Sequence, residues 1–303
     1  LSLYVLPYSL RQLLPKLAWP YSVGRSTMPV VAFADIGKAA KGLLGGDKAT
    51  GTFQFDPKLS VSSSTSSGVV LTVSATQKAD KVEAALKAAY STKKYSLDVA
   101  SDPAGKVTVS ASANEVAPGV KISTSAVVPD PSTAKLTIDY SMPYLALKGT
   151  FGLNATPVVD LAASTGYQSV VLGAETSYDT AKSALTKYNF ALGYHAPDFQ
   201  VAAVLADQGK TLKLSYAHNL TATSTVGTEI TRKLSSTDTA FALAYARKLS
   251  NGALTKFKVD GSGLLSALYE TKLASGEKVA GSLQLQATDL SKPVKYGFAV
   301  DLA

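Results

Sequence analysis

Few residues in this chain could perform catalysis. Histidine occurs only at His195 and His218, and cysteine does not occur. Neither histidine has partner residues at the spacing that metal sites use. The glycine motifs that bind phosphates or dinucleotides, and the motif that presents a nucleophilic serine, are also missing. We therefore expect no enzymatic activity, no metal and no cofactor, and we expect both histidines to lie on strands.

The charged residues indicate weak attraction of anions instead. The chain has 30 basic and 22 acidic residues, which gives a formal net charge of +8. The basic residues are scattered singly, without a basic block or an interleaved aromatic platform, so we expect no nucleic-acid partner. Separate lysines inside a pore would give a modest preference for anions.

The composition leaves two fold classes open. Apolar residues make up 46% of the chain and charged residues only 17%. No stretch approaches the ~20 consecutive apolar residues of a membrane helix. A soluble all-β protein and a closed β-barrel in lipid both remain, because a barrel satisfies its backbone hydrogen bonds without helices. The absence of cysteine fits a reduced or redox-indifferent compartment.

The first 27 residues differ from the rest. They contain Arg11, Lys16 and Arg25 but no acidic residue, as a transit peptide would. Three prolines disfavour the amphipathic helix that such peptides form. We interpret residues 1–27 as a non-native upstream extension or a targeting segment, and residues 28–303 as one barrel domain.

One amphipathic helix is expected near the start of this domain, over about residues 32–44. Its charged residues fall off the apolar face. The apolar face consists of Ile36, Ala39, Ala40, Leu43 and Leu44. Gly45 and Gly46 should end the helix and could also serve as a hinge.

After this helix the apolar period changes from 3.6 to 2. Residues 106–114 and 135–142 alternate strictly between apolar and polar side chains. Such runs, separated by turn residues, predict about nineteen strands. Their spacing suits the ~9–11 residues that a tilted strand needs to cross a bilayer. Serine- and threonine-rich polar faces favour the membrane alternative, as do tyrosines near the strand ends, such as Tyr140 and Tyr296.

Several segments resemble the mitochondrial voltage-dependent anion channels, the eukaryotic porins, of plant and algal type. They occur in the family's order, and the resemblance as a whole runs from about Phe33 to Ala303. These segments are residues 33–41, 117–121, 128–130, 154–159, 172–175, 178–180 and 185–189. Val120 departs from the family's usual leucine. The membrane-buried glutamate of some animal members has no clear counterpart, since nothing singles out Glu83, so regulation through it is not carried over.

The resemblance implies a barrel of about nineteen strands with the helix inside the pore. It implies a voltage-dependent, weakly anion-selective channel of the mitochondrial outer membrane that passes ATP, ADP, phosphate and small ions. Lys38 and Lys41 would then attract anions from the pore helix, and Lys121 from the wall. The alternatives are a solvated helix face for the first two and an ordinary lysine near a turn for Lys121.

The last strand resembles the insertion signal of mitochondrial outer-membrane barrels. In that signal a polar residue is followed at fixed spacing by glycine and two hydrophobic residues. Lys295, Gly297, Val300 and Leu302 match it. A strand with a bare backbone at glycine could be paired with an open edge during insertion.

Two alternative functions remain at this point, a pore of the plastid outer envelope and a soluble or secreted all-β binding protein. If the chain is a mitochondrial anion channel, we expect it to contact membrane lipid and to pass nucleotides and small anions as permeants. A homo-oligomer is possible.

Overall fold

The computed structural model describes residues 30–47, 49–78 and 81–302. The predicted extension at residues 1–27 lies outside the described residues. No helix in the described ranges is long and apolar enough to span a bilayer.

Nineteen strands form one closed barrel. The strands of the barrel are seven to twelve residues long, so the shortest fall below the ~9–11 residues expected of each strand. In chain order they are β1 (Lys58–Ser64), β2 (Val69–Lys78), β3 (Lys81–Ser91), β4 (Tyr95–Ser101), β5 (Val107–Ala117), β6 (Val120–Val128), β7 (Lys135–Ser141), β8 (Leu145–Gly152), β9 (Val158–Tyr167), β10 (Val170–Asp179), β11 (Ala184–His195), β12 (Phe199–Ala206), β13 (Thr211–Thr221), β14 (Ser224–Lys233), β15 (Thr239–Lys248), β16 (Leu254–Asp260), β17 (Leu264–Lys272), β18 (Lys278–Gln286) and β19 (Lys295–Leu302). The predicted barrel is confirmed.

The barrel closes through a parallel pair of strands. All other neighbours are antiparallel, whereas β19 runs parallel to β1, with Ala299 opposite Lys58 and Leu302 opposite Val61. An up-and-down barrel with an odd number of strands must contain one such pair, because its first and last strands point the same way. Closure removes the unpaired edges that lipid could not hydrogen-bond.

The strand register separates an outer apolar face from an inner polar face. In β7, Leu136, Ile138 and Tyr140 point outward, while Lys135 and Asp139 point inward, as the alternation predicts. Apart from Glu115 at a bulge, the charged residues of the described strands lie in inward register with two exceptions. These are Arg232 and Arg247, which lie near strand ends, where long side chains can reach the membrane surface.

The predicted turns also lie between strands. Residues 67–68, 102–105, 129–131, 207–209 and 251–252 each connect two strands. At one of them, Asp207, Gln208 and Gly209 all have positive φ, a conformation that aspartate and glycine tolerate in turns. The alternation continues beyond β18 to Thr288, but the strand ends at Gln286 and the chain then turns, with Asp289 N donating to Gln286 O.

The predicted helix is shorter than expected and is broken once. A 3₁₀ turn spans Phe33–Asp35, and the α-helix α1 spans Lys38–Gly45. Between them Gly37 adopts a left-handed conformation with φ of +74°, and a Cβ there would lie 2.8 Å from Ser215 Oγ. Only glycine adopts this positive φ without strain and also avoids a collision with Ser215. The prediction of a continuous helix from residue 32 was therefore wrong.

A charge on the outer wall should destabilise the barrel more than the same charge on the inner wall. Leu161→Lys places an ammonium outward from the middle of β9, and Ala162→Lys places one inward. We expect a loss of about 2–4 kcal/mol for Leu161→Lys, because lipid cannot solvate the charge. Denaturant titration in liposomes measures both variants. Equal losses would contradict the assigned faces.

Candidate functional site

The inner wall receives the N-terminal segment in a strip of small residues. Ile36 is fully buried against Ala191 and Ala202. A Cβ on Gly173 would lie 2.9 Å from Ile36 Cδ1, and one on Gly193 would lie 3.2 Å from Ile36 Cγ2. Because glycine has no side chain, Gly173 and Gly193 leave the space that Ile36 occupies. Their contact with Ile36 also identifies this face of β10 and β11 as the lumenal one.

The helix α1 continues along the same wall. Leu43 is 1% exposed and packs with Leu44 against Ala244 and Ala246 of β15. Gly227 of β14 lies below Leu43, since a Cβ on this glycine would be 3.5 Å from Leu43 Cβ. The apolar face that the sequence predicts is thus buried against the wall, whereas Lys38 and Lys41 remain exposed.

Lys256 of β16 joins the wall to the end of the helix. Its side chain is completely buried. Nζ donates to Gly42 O at 3.2 Å and to Gly51 O at 3.1 Å, and it lies 4.8 Å from the centroid of the Phe53 ring. A buried ammonium requires such acceptors, and an aromatic face adds electrostatic attraction.

The segment after the helix folds around this lysine. Gly46–Asp47 pairs with Gly51–Thr52 in a two-residue ladder. Asp47 Oδ1 accepts hydrogen bonds from Ala49 N, Thr50 N and Thr50 Oγ1. Partial burial raises the pKa of the Asp47 carboxyl, but the bonds from Thr50 and Ala49 and the charge of Lys256 outweigh it, so the net pKa is below its usual value.

The three lysines predicted to attract anions are in different situations. Lys38 Nζ forms a 2.7 Å ion pair with Asp35, which raises the pKa of the lysine. Lys41 is exposed on α1 without a carboxylate within ion-pair distance among the described residues. Lys121 of β6 is in inward register opposite Asp139, and that carboxylate pairs with Lys148 at 3.4 Å. The structure thus places all three lysines in the lumen but not in one cluster.

The two glycines of the predicted hinge have different environments. Gly45 is the last residue of α1, and a Cβ there would meet nothing within 4 Å. Gly46 has φ of +120°, and a Cβ would lie 2.8 Å from Thr52 Cα. Gly46 is therefore required by the fold around the helix end.

The predicted insertion signal lies on β19, with its residues on both faces. Lys295 and Gly297 are in inward register, and Val300 and Leu302 are in outward register. A Cβ on Gly297 would collide with the backbone of residues 54–56 and lie 2.6 Å from Gln54 O. The glycine thus leaves room for the chain that crosses the lumen before entering β1.

The remaining candidates are dispersed. Glu83 is in inward register and pairs with Lys78 at 2.7 Å, so it does not face lipid. Both histidines lie on strands, as predicted. His195 ends β11 in inward register, whereas His218 faces outward and accepts or donates a 2.6 Å hydrogen bond with Tyr216 Oη.

Sequence reasoning missed Lys256 and the glycines of the helix-binding strip. In the sequence Lys256 is one inward lysine among several, as strand alternation alone would place it. Gly173, Gly193 and Gly227 each interrupt a strand pattern, which can signal close approach of another backbone. This signal was available but does not identify the approaching segment.

A comparison of two alanine variants tests whether these glycines act as a free hinge. We expect Gly46→Ala to destabilise the protein by about 1–3 kcal/mol, because its backbone conformation and contact with Thr52 exclude a side chain. Gly45→Ala should be neutral or stabilising, since alanine favours helix. Thermal unfolding in detergent measures both, and an equal response would support a free hinge instead.

Comparison with known proteins agrees with this geometry. The sequence model of the family described as "Eukaryotic porin" matches residues 30–297. Mitochondrial outer membrane protein porin 5 of Oryza sativa subsp. japonica is 33% identical over 89% of this chain and 96% of its own length. Porin 6 of the same organism is 31% identical over 89% of this chain and 97% of its own length. Porin 4 of Arabidopsis thaliana is 29% identical over 92% of this chain and 99% of its own length. The chain belongs to the eukaryotic porin family of the mitochondrial outer membrane.

Proposed function

We propose that this chain forms a voltage-dependent, weakly anion-selective channel. ATP, ADP, phosphate and small ions would diffuse passively through it across the mitochondrial outer membrane. The observation that carries the proposal is the separation of faces in a closed barrel. Apolar side chains face lipid, whereas nearly all charged side chains of the strands face a lumen that contains the helix.

An excess of lysine in the lumen supports the anion preference. Within the described residues, several inward lysines have no carboxylate within 4.0 Å. They include Lys121, Lys135, Lys213 and Lys258. Their positive potential would raise the local concentration of anions and would act on phosphate groups most strongly.

Other inward charges would keep the preference weak. Lys87 pairs with Asp98 at 3.2 Å, and Lys187 pairs with Glu175 at 2.7 Å. Asp160 and Glu229 are also in inward register. Because both signs occur along the wall, cations would still enter the pore.

The helix would supply the movable element for voltage dependence. It carries exposed Lys38 and Lys41 on its lumenal face and buries its apolar face against the wall. A change in its position would move charge and alter the free cross-section together. Passive diffusion needs no catalytic group, and formation of a homo-oligomer stays a prediction.

Recordings of the purified protein in planar bilayers test this function directly. With a tenfold KCl gradient, we expect a reversal potential that indicates preference for chloride. We also expect conductance to fall at high voltage of either sign. A cation-selective or non-conducting protein would contradict the proposal.

Neutralising a single lumenal lysine should reduce the preference. Lys121→Gln removes an inward charge of β6, whereas Lys93→Gln removes a charge from the turn at residues 92–94. We expect the reversal potential to move toward zero for Lys121→Gln and to change much less for Lys93→Gln, because salt screens distant charges. Equal shifts would place the selectivity outside the lumen.

A further inference from the structure

We propose that Lys256 is a latch that fixes the pore helix in its position on the wall. The inference rests on the proposed function only where it concerns gating. The latch consists of Lys256 and the segment that it holds, Gly42 to Phe53. Lys256 is a positioning residue, since it is buried behind the helix rather than exposed to permeant ions.

The carbonyl of Gly42 is the central acceptor of the latch. It accepts hydrogen bonds from Lys256 Nζ at 3.2 Å, from Thr50 Oγ1 at 3.0 Å and from the backbone N–H of Gly46. The N–H of Gly46 supplies the regular i+4 hydrogen bond at the end of the helix. The wall lysine and the returning chain add further donors to the same carbonyl, so the helix end is joined to β16.

The second acceptor holds the returning chain at the same point. Gly51 O accepts from Lys256 Nζ at 3.1 Å. A Cβ on Gly51 would lie 2.7 Å from Leu268 Cδ2 and 3.0 Å from Leu254 Cδ2, so this backbone lies directly on the wall. Asp47 adds a nearby negative charge that favours the ammonium.

Release of the helix would therefore uncover a buried charge. If α1 moved away by rotation at Gly45 and Gly46, Lys256 would lose Gly42 O and would keep only Gly51 O, which lies beyond the two glycines. Its ammonium would need another acceptor, because a buried charge with too few partners is strongly unfavourable. The paired glycines consequently lie inside the latch, and helix movement requires the latch to open first.

The chain offers a matched pair of lysines for the test. Lys256 and Lys258 lie two residues apart on β16, both in inward register opposite Ala246 and Ala244. Replacing either with methionine removes one positive charge from the same wall. Only Lys256 has hydrogen bonds to the helix segment among the described contacts. Any difference between the two variants therefore measures the latch rather than lumenal charge.

Thiol accessibility reports the helix position without any need for conduction. The sequence contains no cysteine, so Ala40→Cys introduces a single thiol at a site that is 2% exposed. In Lys256→Met we expect a water-soluble thiol reagent to modify it at least tenfold faster than in the parent or in Lys258→Met. Equal rates in the two methionine variants would overturn the latch, whatever the channel recordings show.

Voltage recordings and a disulfide then connect the latch to gating. We expect Lys256→Met to close at lower voltage than Lys258→Met. In the Lys256→Met background, Leu43→Cys with Gly227→Cys should form a disulfide, because their Cβ positions are 3.5 Å apart. Oxidation should restore the voltage response to that of Lys258→Met, and failure to do so would refute the link to gating.

A second variant covers the case in which Lys256→Met does not assemble. Thr50→Val removes the hydroxyl whose one hydrogen is shared between Gly42 O and Asp47 Oδ1, and it leaves the wall unchanged. It should raise the modification rate at Ala40→Cys several-fold, and an unchanged rate would contradict the latch. If the parent protein shows no voltage dependence while Lys256→Met exposes the thiol, the gating proposal fails and the latch stands.

Discussion

Satisfaction of every backbone hydrogen bond within lipid is the constraint on which this structure depends. Strands meet it only by closing, and nineteen strands close only through the parallel pair of β1 and β19. The chain before β1 runs inside the barrel and crosses the last two strands, where Gln54 N donates to Ser282 Oγ and Gly297 leaves the necessary space. Gly297 therefore allows β19 to close the barrel while the N-terminal segment passes over it inside the lumen.

The inner wall is specialised along its circumference. On one side the inward side chains are small, mainly glycine and alanine, which lets Ile36 and Leu43 pack close to the backbone of the wall. On other parts of the wall, lysines and carboxylates extend into the lumen, either paired or separate. The helix therefore has a wall that fits it, and the permeants have a wall that is charged. Lys256 belongs to both, since it is a lumenal lysine by register but has been buried by the helix.

The sequence predicts those features that depend on local periodicity. Alternation identified the faces of β5 and β7, and turn residues located the connections, because both signals lie within a few residues. The amphipathic face of α1 was predictable for the same reason. The break at Gly37 was not, because it depends on Ser215 in a distant strand. The contacts of Lys256 with Gly42 and Gly51 were hidden likewise, since they join segments more than 200 residues apart.

The parallel seam between β1 and β19 also constrains how the barrel can form. It joins the first barrel strand to the last, and its contacts therefore close the longest loop in the domain, which makes them the slowest to find each other. Until β19 has been synthesised, β1 has no partner on that side and presents unpaired N–H and C=O groups. A bilayer cannot tolerate such an edge, so the strands cannot be inserted one after another as the chain emerges. Biogenesis must instead shelter an open sheet until its final strand arrives.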